Sequence, residues 1–108
     1  DALQVADDMI SSPTYAADVA AVVRVALGEH LLPGLYHVTN DGEASLHELV
    51  VETLRLLGLT VPVEAVTHKH FPSLAKHYPR VGLGSQKMPL LRTWREALAD
   101  YCAALRAA

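Results

Sequence analysis

Asp8-Met9-Ile10-Ser11-Ser12-Pro13-Thr14-Tyr15-Ala16-Ala17-Asp18-Val19-Ala20 reads as an extended segment that turns sharply through Ser-Pro-Thr into a helix. Pro13 fixes φ near the value of a first helical turn, so Ser12 or Thr14 is expected to cap that helix. Asp18 then falls in the first turn, where the helix dipole favours a carboxylate. Tyr15, Val19, Val22 and Ala26 recur at helical spacing and predict one buried face, and Gly28 stands where the helix should end. Upstream, Leu3-Gln4-Val5 reads as a short strand. Downstream, His30 to Gly34 is a connector, and Leu35-Tyr36-His37-Val38-Thr39 is β-branched and aromatic enough for a strand. Asn40-Asp41-Gly42 supplies the turn chemistry that stops it. His37 on that strand is expected to be held by structural hydrogen bonds.

Further along, Ser45 and Glu48 stand in the S-x-x-E relation of a capping box, in which hydroxyl and carboxylate each satisfy an orphan backbone N–H. Leu46, Leu49, Val50, Leu54 and Leu57 form the apolar stripe of the helix that follows, His47 lies on its polar side, and Gly58 closes it. A second strand is expected over Val61-Pro62-Val63-Glu64-Ala65-Val66, with Pro62 confining it to an edge or leaving its start irregular. Residues from His68 to Lys87 carry two glycines, two prolines and four of the nine Lys and Arg side chains, a loop of the kind that holds binding groups. Thr93 and Glu96 repeat the capping box, and Trp94, Leu98, Tyr101, Cys102 and Leu105 line one face of a last helix. Cys102 in that setting is a core thiol.

Composition narrows the function classes. The 108 residues fit one domain and are 51% hydrophobic, enough for a packed core. No uninterrupted apolar run reaches the length of a membrane span. A formal charge of -3, with nine scattered Lys and Arg, gives no basic stripe and argues against nucleic acid. One cysteine and no leader-like segment suggest a cytoplasmic setting. The chain opens on Asp-Ala-Leu-Gln without an initiator Met, as a segment of a longer polypeptide would.

The residues offer little independent chemistry. His68-Lys69-His70 with His77 invites a metal reading, yet the paired spacing of a zinc site and the His-Glu-x-x-His motif are both missing. No Gly-x-Ser-x-Gly elbow supports a nucleophile, and Cys102 lacks a basic neighbour. Val81-Gly82-Leu83-Gly84-Ser85 contains two glycines but no G-x-G-x-x-G between a strand and a helix, so no dinucleotide site is expected.

Asp8, Pro13-Thr14-Tyr15, Asp18-Val19-Ala20, Gly34-Leu35-Tyr36-His37-Val38-Thr39-Asn40, Gly42, Ser45, Glu48, Pro72, Ala75, Pro79 and Trp94-Arg95-Glu96-Ala97-Leu98 occur in this order. Taken together they resemble the C-terminal part of dTDP-4-dehydrorhamnose reductase and its relatives, extended short-chain dehydrogenase/reductase enzymes acting on nucleotide sugars. The resemblance covers nearly the whole chain. It implies an α+β fragment, mainly helical with a few short strands, that forms the C-terminal portion of a Rossmann-type α/β enzyme. Residues 1–108 would be a single sugar-nucleotide-binding domain, with the N-terminal Rossmann domain lying outside them.

Such enzymes pair a Gly-rich dinucleotide loop with a Tyr-x-x-x-Lys catalytic couple, both in the N-terminal part. Tyr15, Tyr36, Tyr78 and Tyr101 are followed four residues on by Val19, Asn40, Gly82 and Leu105, so the couple is missing here. The resemblance therefore implies a fragment with no catalytic, cofactor or metal residues, inactive alone, within a parent that uses NADPH or NADH on a dTDP-4-keto-6-deoxyhexose. Ser11, Thr14 and Tyr15 at the turn and Lys76 and Arg80 in the later loop are the candidate sugar and diphosphate contacts. Met9, Ser11 and Tyr78 replace a Gln, a Gly and an Arg of the pattern. The missing Arg removes a bidentate phosphate donor that Arg80 or Lys76 could partly replace. These departures leave two readings open, another 4-keto sugar nucleotide or a non-catalytic regulatory or scaffold subunit. Residues 35–39 would be an edge strand of the outlying sheet, and the apolar surface uncovered there would favour a homodimer.

Overall fold

The computed structural model describes residues 2–29, 31–71, 73–74 and 78–107. His30, Pro72, Ala75, Lys76 and His77, all invoked above, lie outside the described residues. Strands β1 (Leu3–Ala6) and β2 (Ile10–Ser11) lead into helix α1 (Ala16–Gly28), followed by β3 (Asn40–Asp41), β4 (Ala44–Ser45) and α2 (Leu46–Leu57). Then come β5 (Val63–Val66), a 3₁₀ turn at His68–His70, β6 (Arg80–Val81), β7 (Leu91–Thr93) and α3 (Trp94–Ala107). Helix outweighs strand, and the fold is a small α+β unit.

The strands form three narrow sheets, β1-β5, β4-β2-β6 and β3-β7. β1 runs parallel to β5 in the register Leu3↔Val63 to Ala6↔Val66. Pro62 precedes that ladder and contributes only its carbonyl, which accepts from the Leu3 N–H at 2.9 Å. The expected strand thus starts one residue beyond the proline, because Pro has no N–H to offer a ladder.

Helix α2 forms as its sequence dictates. The Ser45 hydroxyl accepts from the Glu48 N–H at 3.1 Å, and the Glu48 carboxylate accepts from the Ser45 N–H at 3.2 Å. Gly58 closes the helix in the left-handed region at φ 71°. Thr93 and Glu96 box the start of α3 in the same way. Ala44, Trp94, Leu98 and Cys102 form the core, with Leu49, Leu56 and Leu57 of α2 packed against it. Cys102 is buried there as expected, and Ala97 joins this inward face, while Tyr101 and Leu105 are exposed instead. Those two fall at the rim of the helix stripe, beyond the width that α2 covers.

Three further expectations change. The N-cap of α1 is Tyr15 rather than Ser12 or Thr14, and no side chain of its own caps the helix. Residues 35–39 are not a strand; pairing starts at Asn40, where the turn was expected, and runs parallel to β7. A β-prone run needs a partner strand to become a ladder, and Asn40 finds β7. His37 is exposed and makes no hydrogen bond among the described residues. His47 is half-buried beside Val51 and Leu54 rather than on an open polar side.

The predicted face of α1 is right in direction but thinly covered. Tyr15, Val19, Val22 and Ala26 are half-buried, no residue of α1 is fully buried, and Val23, Val25 and Leu27 face solvent. The radius of gyration is 16.2 Å, against roughly 13 Å for a compact domain of this length. The body is flat, and its apolar surface is correspondingly large. No helix among the described residues is long and apolar enough to cross a membrane.

Candidate functional site

The Ser-Pro-Thr-Tyr turn is held from the far side of the chain by Asn40, which is 1% exposed. Its Oδ1 accepts from the Tyr15 N–H at 2.8 Å, an orphan donor at the start of α1. Its Nδ2 donates to Asp18 Oδ2 at 2.9 Å and to the Arg92 carbonyl at 3.0 Å. Asn40 thus does from a distance what Ser12 or Thr14 was expected to do locally. Thr14 is tied differently: its hydroxyl donates to the Ser12 carbonyl at 3.1 Å and shares a 3.0 Å hydrogen bond with the Thr39 hydroxyl.

Asp18 is more than a helix-dipole residue. Arg92 grips it with a fork, Nε to Oδ2 at 3.0 Å and Nη2 to Oδ1 at 2.9 Å, and also donates to Asp100 of α3. The Arg92 and Asn40 hydrogen bonds hold the Asp18 carboxyl below the ordinary carboxylate range. Its hydrogen bonds to Asp18 first, and then to Asp100, raise the Arg92 guanidinium. One network therefore joins α1, β3, β7 and α3. A second carboxylate, Asp8, accepts from both the His68 N–H at 2.8 Å and its Nδ1 at 2.7 Å, and that histidine holds its pKa down.

The two candidate regions meet through β2 and β6. Ile10 stands opposite Arg80 and Ser11 opposite Val81, and the Ser12 hydroxyl accepts from the Leu83 N–H at 2.8 Å. A polar cleft of about 530 Å³ opens there, lined by Ser12, Asp41, Glu43, Arg80 and the backbone of Gly82 and Gly84 among others. Thr14 and Tyr15 face a different cleft of about 350 Å³, apolar, with Pro13, Leu49, Trp94, Ala97, Leu98 and Tyr101. The Tyr15 and Tyr101 rings meet edge to face there at 5.8 Å. Ser12 and Pro13 put the two clefts side by side along the chain.

Of the five candidate contacts, Arg80 lines the polar cleft, Ser11 stands on the adjoining strand opposite Val81 without lining that cleft, Thr14 and Tyr15 line the neighbouring cleft, and Lys76 lies outside the described residues. Ser12, Asn40, Glu43 and Arg92 were not foreseen as partners. Asn40 carried a misleading signal, since an Asn-Asp-Gly run reads as a turn whichever way its side chain points. Gly82 and Gly84 follow β6 and run on to β7 without opening a helix, so they do not form the strand-turn-helix loop of a dinucleotide-binding fold.

Narrow sheets of two or three strands, with α2 and α3 packed on one another, define a small α+β unit bearing two adjoining clefts rather than a doubly wound dinucleotide fold. The chain belongs to the RmlD substrate binding domain family, whose model matches residues 1–107. It is 34% identical over 107 residues to the spore coat polysaccharide biosynthesis protein SpsK of Bacillus subtilis (strain 168), covering 92% of this chain and 36% of that protein. It is 33% identical over 115 residues to a dTDP-4-dehydrorhamnose reductase of Streptomyces griseus, covering 97% of this chain and 38% of that protein. The solved dTDP-4-dehydrorhamnose reductase of Clostridium acetobutylicum ATCC 824 superimposes with a TM-score of 0.88 at 32% identity, over 98% of this chain and 39% of that one. A dTDP-4-dehydrorhamnose reductase of Bacillus anthracis str. Ames, solved in complex with NADP, shares the fold at a TM-score of 0.88 and 24% identity, over 96% of this chain and 38% of that one. The chain spans somewhat more than a third of the length of these relatives.

Proposed function

We propose that this chain is the nucleotide-sugar side of an NAD(P)H-dependent 4-ketoreductase of the dTDP-4-dehydrorhamnose reductase type, working in deoxysugar biosynthesis in the cytoplasm and inactive by itself. The observation that carries the reading is the family match over residues 1–107, on a fold that follows a solved reductase at 32% identity. In the whole enzyme the nicotinamide supplies the hydride, from a Rossmann portion outside these residues. This chain's own part is to bind and orient. Arg80 and the Gly82–Gly84 backbone suit a diphosphate, and the apolar cleft beside Tyr15 suits the less polar parts of the ligand. Holding the keto carbon in a near-attack position accounts for on the order of several kcal/mol of barrier.

The uncovered apolar side chains of α1 and of the stretch that follows, Leu27, Leu32 and Leu35 among them, support a larger assembly in which the Rossmann portion, or a second copy, lies against them. The test is NADPH consumption by the full-length protein with a dTDP-4-keto-6-deoxyhexose, alongside residues 1–108 alone. Turnover by the full-length protein and none by the short chain is expected, with Arg80→Ala raising KM several-fold. Turnover by the short chain, or neither turnover nor binding by the full-length protein, overturns the reading. Tight binding without turnover instead identifies the non-catalytic regulatory subunit.

A further inference from the structure

Among the described residues lining the polar cleft, Arg80 is the only cation, and it is already engaged. Glu43 takes it side-on: Oε1 accepts from Nη2 at 3.0 Å and Oε2 from Nε at 3.2 Å. The Nε–Nη2 edge of the guanidinium, one of its two bidentate forks, is therefore filled by a carboxylate of this chain. Asp41 adds a second acidic side chain to the same lining. An anion entering here meets net negative charge.

Gly82 is what admits the Glu43 carboxylate. A Cβ at residue 82 would lie 2.7 Å from Glu43 Oε2 and 2.9 Å from its Cδ, closer than real contacts allow. The backbone of Gly82 is not in the positive-φ region, so alanine is sterically barred only by that carboxylate. Glu43 is flexible and about a third exposed, so it can swing away. The pair is consequently a closed position that a small displacement opens.

We propose that Glu43 gates the side-on edge of Arg80, so that the diphosphate of a nucleotide sugar takes the Nε–Nη2 fork only by displacing the Glu43 carboxylate. The gate rests on the proposed reading of Arg80 as a diphosphate contact. It makes Glu43 a specificity residue: a ligand must carry enough negative charge to win the exchange, and uncharged sugars leave the pair intact.

Titration calorimetry of the full-length protein with thymidine diphosphate tests it. Removing this exposed pair together with its repulsion of the ligand should tighten binding by about three- to tenfold in Glu43→Gln. Gly82→Ala, which pushes the carboxylate off without touching its charge, should tighten it in the same direction but less. Combining Glu43→Gln with Arg80→Ala should erase the gain. Unchanged or weaker binding by Glu43→Gln overturns the gate. So does wild-type binding that Arg80→Ala leaves untouched, an outcome that spares the assignment of the chain to nucleotide-sugar binding. If neither wild type nor Glu43→Gln binds, both the gate and that assignment are wrong.

Discussion

Replacing Asn40 with alanine removes three hydrogen bonds at a site that is 1% exposed. The bonds to the Tyr15 N–H and the Arg92 carbonyl are each worth about 1 kcal/mol, and the bond to the ionised Asp18 about 1.5–3 kcal/mol, which sums to roughly 4 kcal/mol. Tyr15 and Asp18 are only half-buried, so entering water recovers some of this, and a net loss near 3 kcal/mol is expected. That is a large share of a typical domain's stability. Urea unfolding followed by fluorescence of Trp94, the chain's single tryptophan, measures it. Asn40→Asp is the informative companion: it keeps an acceptor for Tyr15 but sets two carboxylates face to face, and it should lose a similar amount. A change below about 1 kcal/mol for Asn40→Ala would refute the claim that this side chain fastens the turn.

Two further substitutions and one titration check other parts of the account. Gly42 sits at φ 99° with its missing Cβ only 3.0 Å from Trp94 Cδ1, so Gly42→Ala should cost about 2 kcal/mol in the same unfolding assay. Gly28→Ala meets nothing within 4 Å in the last turn of α1 and should instead stabilise by about 0.5–1 kcal/mol; equal effects at the two glycines would contradict the packing at Trp94. The lowered carboxyls of Asp8 and Asp18 contribute stability that is complete above their unfolded pKa near 4 and is lost as pH falls through their lower folded values. Unfolding midpoints followed from neutral pH downward should therefore drop below about pH 4, and Asp18→Asn, less stable at neutrality, should show a shallower fall. Parallel profiles for wild type and variant would show that Asp18 carries none of the acid sensitivity.

Local rules made much of the fold legible. Both capping boxes, the Gly58 stop and the inward placement of Trp94, Leu98 and Cys102 follow from short-range spacing, which survives whatever the rest of the chain does. The failures share a cause. Residues 35–39 have strand composition but no partner strand among the described residues, and Asn40 looks like a turn residue yet ends buried against α1 and β7. Pairing and long-range hydrogen bonds depend on tertiary neighbours that periodicity cannot name. The same limit applies to the site. Arg80 was visible as a loop cation after Pro79, and the turn as a candidate contact, but the β2–β6 pairing that joins them and the Glu43 fork over Arg80 span tens of residues. Tyr101 and Leu105 show the converse, helical spacing promising burial that a thin core does not supply.

The assignment of this chain to the nucleotide-sugar side of a reductase is tested most directly by a crystal structure of the full-length protein with a dTDP-sugar bound. The diphosphate is expected against Arg80 and the 82–84 backbone, with Glu43 swung aside and the ligand reaching the turn at residues 11–15. A ligand bound wholly away from both clefts, with the Glu43–Arg80 pair still closed, would contradict it.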